Sequence, residues 1–221
     1  MEGASESSPG LPGRYGPPGV SAPLLIACAL SIERLALRGG GRHPVTVLRT
    51  GMGPRNAERA VLEALGKQPE SVVVASGFCA GLAPGMHPGD LVVADETRDA
   101  HGSTECTSTQ ALVKAVTRAV PGRTVHTGPL TGSGHVVRGH ERAELRATGA
   151  MAVDMESAAT LRAALSTGTR PVAAVRVVVD APEHELLRIG TVRGGISAFR
   201  VLRAVLPAFF EWHRSLLLPR R

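Results

Sequence analysis

The sequence predicts an α/β domain with a largely parallel sheet flanked by helices. Three observations carry that prediction. Short, continuous apolar runs read as strands buried on both faces. Between them lie stretches with apolar residues at helical spacing. Gly- and Pro-bearing breaks separate the two kinds of segment, so strands and helices alternate along the chain.

Residues 1–22 read as a disordered tail, because Pro9, Pro12, Pro17 and Pro18 and the glycines between them neither hold a helix nor pack a core. With Glu2 and Glu6 and no apolar stretch, Met1–Pro23 does not read as a secretory signal. Order is expected from Pro23, and residues 23–221 form one domain. Leu24-Leu25-Ile26-Ala27-Cys28-Ala29 is the first strand. Ser31 then caps a short helix through Ile32, Leu35 and Leu37, which Gly39-Gly40-Gly41 ends. Val45-Thr46-Val47-Leu48 is the second strand and runs into Gly51-Met52-Gly53. Pro54 opens a helix carrying Val61 and Leu65, closed by Gly66.

Ser71–Ser76 is the third strand and enters a glycine loop, Gly77-Phe78-Cys79-Ala80-Gly81-Leu82. Leu91-Val92-Val93-Ala94 is the fourth. A helix over Gln110–Val120 and a weaker strand over Thr124–Leu130 follow. Ala152-Val153-Asp154 is short and leads into a helix over Met155–Leu165. Val172–Val179 is the most apolar strand and ends on Asp180. Ile196–Leu217 has an apolar stripe of helical spacing that Pro207 should kink.

Composition narrows the function classes. The net charge is +6 and the pI about 10.2. The basic residues are spread along the chain, and aromatics are only 3%, too few for base-stacking platforms, so nucleic acid is not the expected partner. The apolar runs are too short to span a bilayer, so no membrane insertion is expected. Cys28, Cys79 and Cys106 are odd in number and lack ligand spacing, which argues against a disulfide framework or a metal site and for a cytoplasmic protein.

In open parallel sheets ligands bind at the carboxyl ends of the strands. Those ends bring up Glu33, then Gly51-Met52-Gly53, then Gly77–Gly81, then Asp154-Met155-Glu156, then Asp180. Taken singly, each has a plain structural reading. Glycines make turns, Asp180 ahead of Pro182 suits a turn, and Glu33 and Glu156 suit a helix's first turn. The functional signal is the expected convergence of three carboxylates with two loops of small residues.

These segments resemble the nucleoside phosphorylase and nucleosidase superfamily, especially the methylthioadenosine/S-adenosylhomocysteine nucleosidases. The resemblance covers nearly all of residues 23–215. Ala29-Leu30-Ser31-Ile32-Glu33 is similar to the family's first-strand segment with its catalytic glutamate. Gly77–Pro84, with Pro88-Gly89-Asp90-Leu91-Val92-Val93, is similar to its central glycine loop and following strand. Ala152–Ala159 is similar to its ribose-binding segment. Val175–Asp180 is similar to the strand ending in its purine-protonating aspartate.

The resemblance implies a three-layer nucleoside phosphorylase-type fold and cleavage of an N-glycosidic bond. It implies Asp180 as the acid at the purine N7, given a pKa raised by burial, and Glu33 as the group that orients or deprotonates an attacking water. Glu156 is implied to accept hydrogen bonds from the ribose 2′- and 3′-hydroxyls and to stabilise a ribosyl cation, with Met155 packing on the sugar. Phe78 and Cys79 of the glycine loop, and His135 and Val136 of the loop placed near the purine in relatives, are the remaining implied substrate contacts. No cofactor and no metal are implied. The implied partners are a small-molecule nucleoside, phosphate or water as nucleophile, and further copies of the chain in a homo-oligomer.

The pattern departs from the family in three places. Val179 stands where relatives have a serine that orients the aspartate. Phe78 stands where the nucleosidases have a serine. Phosphorylases carry a phosphate-gripping arginine where Ala75 falls. Gly51 and Gly53 resemble a phosphate turn without charge, which only Arg49 and Arg55 could supply, so the residues lean toward water. The Gly77-Phe78-Cys79 loop and the Arg- and Ala-rich style resemble most the hopanoid-associated nucleoside phosphorylases of actinobacteria, which implies adenine release from adenosylhopane. Phe78, Val136 and Val137 are then candidates to line a channel for a long apolar 5′ group. The rival readings are a methylthioadenosine- or futalosine-type nucleosidase and a non-catalytic purine nucleoside-binding protein. His184, between Glu183 and Glu185, reads as a lid or a solvated turn.

Overall fold

The computed structural model describes residues 22–38, 45–181 and 191–217. The expected tail and the stretch around His184 lie outside the described residues. In chain order the elements are β1 (Leu24–Cys28), α1 (Ser31–Leu37), β2 (Val45–Arg49), α2 (Pro54–Lys67), β3 (Val72–Gly81), β4 (Leu91–Asp99) and β5 (Gly102–Glu105). They continue with α3 (Thr109–Ala119), β6 (Val125–Gly132), α4 (His140–Ala147), β7 (Ala152–Asp154), α5 (Ser157–Ser166), β8 (Val172–Asp180), α6 (Thr191–Ala204) and α7 (Leu206–Leu216).

One sheet of eight strands runs β2-β1-β3-β7-β6-β4-β5, and β8 pairs with both β3 and β4. Strands β3, β8, β4, β6 and β7 therefore close into a ring, with β1–β2 and β5 as extensions. The sheet is mixed. Pairings β1–β2, β1–β3, β3–β8, β4–β6 and β6–β7 are parallel. Pairings β3–β7, β4–β5 and β4–β8 are antiparallel.

Side chains alternate across β1 and sort the core into two faces. Leu24, Ile26 and Cys28 pack with Leu112 of α3, Leu202 of α6 and Phe209 and Trp212 of α7. Leu25 and Ala27 pack with Val61 and Leu65 of α2 and Leu161 of α5. Burying each large aliphatic side chain is worth about 1.5–3 kcal/mol. The Trp212 indole, buried against this core, still donates to the Thr107 carbonyl at 3.1 Å, so its one polar group is satisfied.

Several boundaries differ from expectation. The glycine-rich segment after Ser76 is not a loop: β3 continues to Gly81, because β8 and β7 supply partners for its backbone. The helix expected from Met155 starts at Ser157, with Glu156 at the cap position, so Met155 and Glu156 lie ahead of it. The helix expected over Ile196–Leu217 is two helices. Pro207 falls within the first turn of α7, where its missing N–H costs nothing, so the chain turns at Val205 rather than bending one long helix. Strand β5 and helix α4 were not anticipated. Gly102-Ser103-Thr104-Glu105 has no apolar alternation, and α4 is mostly polar, so neither carries a periodic signal.

Candidate active site

A cavity of about 220 Å³ opens where the carboxyl ends of β1, β3 and β8 meet the segment after β7. On that measure one water takes ~10–15 Å³, so the cavity suits a small organic molecule and not a lone ion. Among the described residues, Glu33, Phe78, Cys79, His135, Val136, Met155, Glu156 and Asp180 all line it. Gly51 and Gly53 do not. The Gly51 N–H is spent on the Ala29 carbonyl at 3.2 Å and the Gly53 N–H on Glu156, and it is Met52 between them that reaches the wall. Neither amide is free to cradle an anion. Arg49 is turned to Ser31 instead, at 3.1 Å, and neither it nor Arg55 lines the cavity.

Glu33 is 2% exposed, which excludes the plain reading as a solvated first-turn acid. Its Oε2 accepts the N–H groups of Ala29 at 2.9 Å and Leu30 at 2.8 Å, closing the start of α1. Its Oε1 accepts the N–H of Phe78 at 2.7 Å, which ties α1 to the bend in β3. That approach is possible because residue 77 is glycine. With φ at +150°, a Cβ there would lie 2.5 Å from Glu33 Oε1 and 2.6 Å from Arg176 Nη1.

Glu156 is held by the Gly53 N–H at 2.8 Å. Burial raises its pKa above the usual carboxylate value. Asp154 and Glu33 push the same way, and the Arg176 charge and the Gly53 bond offset part of the rise. Beneath it lies a charged group that the sequence reading did not single out. Arg176, 1% exposed and in the middle of the most apolar strand, places Nε 2.6 Å from Asp154 Oδ2 and 2.9 Å from Ser157 Oγ. Its Nη1 has no hydrogen-bond partner among the described residues, and lies close to the Glu33 carboxylate across Gly77. Its one signal in the sequence was an arginine inside a run of valines.

Asp180, the last residue of β8, also lines the cavity. The β3–β8 register slips between Cys79, opposite Val178, and Ala80, opposite Asp180, so Val179 is a bulge residue. Bulges re-aim side chains beside functional sites. Burial alone does not describe the surroundings of Asp180. Arg142, on α4, grips both carboxylate oxygens, with Nη1 3.3 Å from Oδ1 and Nη2 in contact with Oδ2. The Arg142 Nε donates to the Val137 carbonyl at 3.3 Å, and both members of the pair are buried. Sequence reasoning missed Arg142 because α4 itself left no pattern.

The rest of the lining is apolar: Leu30, Met52, Phe78, Val136, Val137, Val153, Met155 and Val179. Met52 and Val136 are more than half exposed and stand at the mouth. The Cys79 thiol is pushed up by burial and serves as apolar wall rather than as a nucleophile. The His135 side chain is largely exposed, with Nε2 3.0 Å from the Glu141 carboxylate. No group of metal-ligating side chains is found among the described residues.

The model of the phosphorylase superfamily matches residues 31–206, which takes in Glu33, Glu156 and Asp180 and all of the cavity lining except Ala29 and Leu30. The chain belongs to the phosphorylase superfamily. The mixed α/β fold expected for such an enzyme is the fold observed. Among solved structures, the 5′-methylthioadenosine/S-adenosylhomocysteine nucleosidase of Neisseria meningitidis, in complex with methylthio-immucillin-A, superposes with a TM-score of 0.74 at 19% identity. That match covers 86% of this chain and 99% of the other. The S-adenosylhomocysteine nucleosidase of Streptococcus pyogenes, in complex with 5-methylthiotubericidin, gives 0.74 at 20% identity, over 92% and 100% of the two chains. The futalosine hydrolase of Helicobacter pylori gives 0.73 at 15% identity, over 87% and 98%. These likenesses speak to the fold that this phosphorylase-superfamily chain shares with them. No curated protein matches the chain. None of its described helices is long and apolar enough to cross a membrane.

Proposed function

We propose that this protein cleaves the N-glycosidic bond of a 5′-modified adenosine, releasing adenine. The observation that carries the reading is the meeting of Glu33, Glu156 and Asp180 on one largely apolar cavity. Glu156 takes the ribose diol and stabilises positive charge on the sugar. Asp180, with Arg142, addresses the departing base. Glu33 accepts a proton from the nucleophile, whose oxygen bonds to the anomeric carbon as the bond to the purine breaks and its electron pair leaves with the base.

Water is the nucleophile in this reading. Glu33, Asp154 and Glu156 surround Arg176, so a phosphate dianion on this side of the cavity would face three carboxylates for one guanidinium. A neutral water in the cavity meets no such opposition and donates to Glu33, which lines it.

For the 5′ group we propose a long apolar substituent, with adenosylhopane as the substrate and hopanoid side-chain synthesis as the setting. The resemblance supplies that identity, and the apolar mouth at Met52 and Val136 is compatible with it. A methylthioadenosine-type substrate is the second reading, supported by the ligands named for the neisserial and streptococcal neighbours. We further propose that the protein acts in the cytoplasm as a homo-oligomer. The test is incubation with adenosylhopane and with methylthioadenosine, each with and without phosphate, reading free base and sugar product. Phosphate-independent adenine release from adenosylhopane supports the reading. Release only with phosphate overturns the choice of water, and no release from either nucleoside overturns the enzymatic reading.

A further inference from the structure

We propose that Arg142 is a further catalytic and specificity-determining residue: it and Asp180 grip the purine edge as one unit, Arg142 donating to N7 and Asp180 accepting from the 6-amino group. The proposal rests on the adenosine reading above and deepens it.

A guanidinium has five N–H donors and no acceptor, and a carboxylate has only acceptor sites. In Arg142, Nε serves the Val137 carbonyl, and one N–H from each Nη serves Asp180. One N–H on each Nη is left over, and each Asp180 oxygen keeps a lone pair. Both side chains line the cavity. The wall therefore offers a donor beside an acceptor. The imidazole-side edge of a 6-aminopurine offers the complement, N7 as acceptor and the amino group as donor. A 6-oxopurine offers two acceptors on that edge, and its oxygen would face the Asp180 carboxylate. Arg142 also supplies what Val179 cannot, because its two-pronged grip fixes the plane of the Asp180 carboxyl. A cationic donor on N7 stabilises the electron pair arriving on the purine as the glycosidic bond breaks, and the departed base then takes its proton from solvent.

The test is equilibrium binding of adenine, 7-deazaadenine and hypoxanthine to the full chain at pH 8, which does not depend on the 5′ group. The wild-type protein should bind adenine about tenfold or more tighter than either analogue, as a hydrogen bond to a charged group allows. Arg142→Met should erase the preference over 7-deazaadenine and keep most of that over hypoxanthine. Asp180→Asn should erase the preference over hypoxanthine, since an amide can donate to its oxygen. Equal wild-type binding of adenine and 7-deazaadenine overturns the proposal without need of any variant. So does an Arg142→Met protein that keeps the N7 preference, which would make Asp180 the donor. Failure of the wild-type protein to bind any of the three bases would instead overturn the adenosine reading itself.

Discussion

The amide of Gly53 donates a 2.8 Å hydrogen bond to Oε1 of Glu156, 103 residues further along the chain. The bond fixes the carboxylate from outside its own element, so its position depends on the turn before α2 as much as on α5. Glu156 is also the carboxylate whose pKa burial raises. A raised pKa means that the folded state binds this proton more tightly than the unfolded chain does. Its stabilising share is therefore complete below the ordinary glutamate value and is lost as pH rises through the elevated one. Glu156→Gln should match the wild-type melting temperature at about pH 4 and exceed it near pH 8. Melting curves at the two pH values check this, and a constant difference would contradict it.

Gly77 is where Glu33 and Arg176 come within reach of one backbone position. Gly77→Ala would add a Cβ against two buried polar groups at a positive φ. A loss of about 2 kcal/mol or more is expected, with turnover falling as Glu33 is displaced. Urea unfolding of the variant measures the first effect. A change below about 0.5 kcal/mol would show that the segment yields freely.

Glu33 receives three backbone N–H groups, all of which an amide can only partly serve. Glu33→Gln should lower turnover by about a hundredfold or more, the usual contribution of a positioned base, while leaving nucleoside affinity within a few fold. Single-turnover rates beside equilibrium binding separate the two. Equal losses in both would reduce Glu33 to a structural tie.

The Arg176–Asp154 pair is buried on both sides. Arg176→Met alone leaves Asp154 as an uncompensated charge and should cost about 3–5 kcal/mol. Arg176→Met combined with Asp154→Leu should cost clearly less than the sum of the single changes. Chemical denaturation of the three variants gives the coupling, and strict additivity would contradict the pairing.

The fold was legible where apolar periodicity was strong: β1, β3, β8 and the buried faces of α2, α3 and α5. It was illegible where pairing partners decide the outcome. Nothing local to Gly77–Gly81 says that β7 and β8 will extend β3 through it, and a bulge at Val179 has no signature of its own. The carboxylates at strand ends were readable because a parallel sheet gathers such ends. Their cations were not. Arg176 is hidden in a valine run, and Arg142 comes from a short polar helix with no apolar periodicity to announce it. Gly51 and Gly53 misled for a related reason: the sequence showed a turn with amides to spare, and the fold spends both.

The central claim is that one cavity holds the sugar at Glu156 and the base at Asp180. A crystal structure with a 5′-modified carbocyclic adenosine, in which a methylene replaces the ribose ring oxygen so that the bond to the base resists cleavage while N7 stays an acceptor, tests it most directly. The account predicts the ribose diol within hydrogen-bond distance of Glu156 and the purine edge facing Arg142 and Asp180. A ligand bound elsewhere, or bound with its base remote from Asp180, would contradict it.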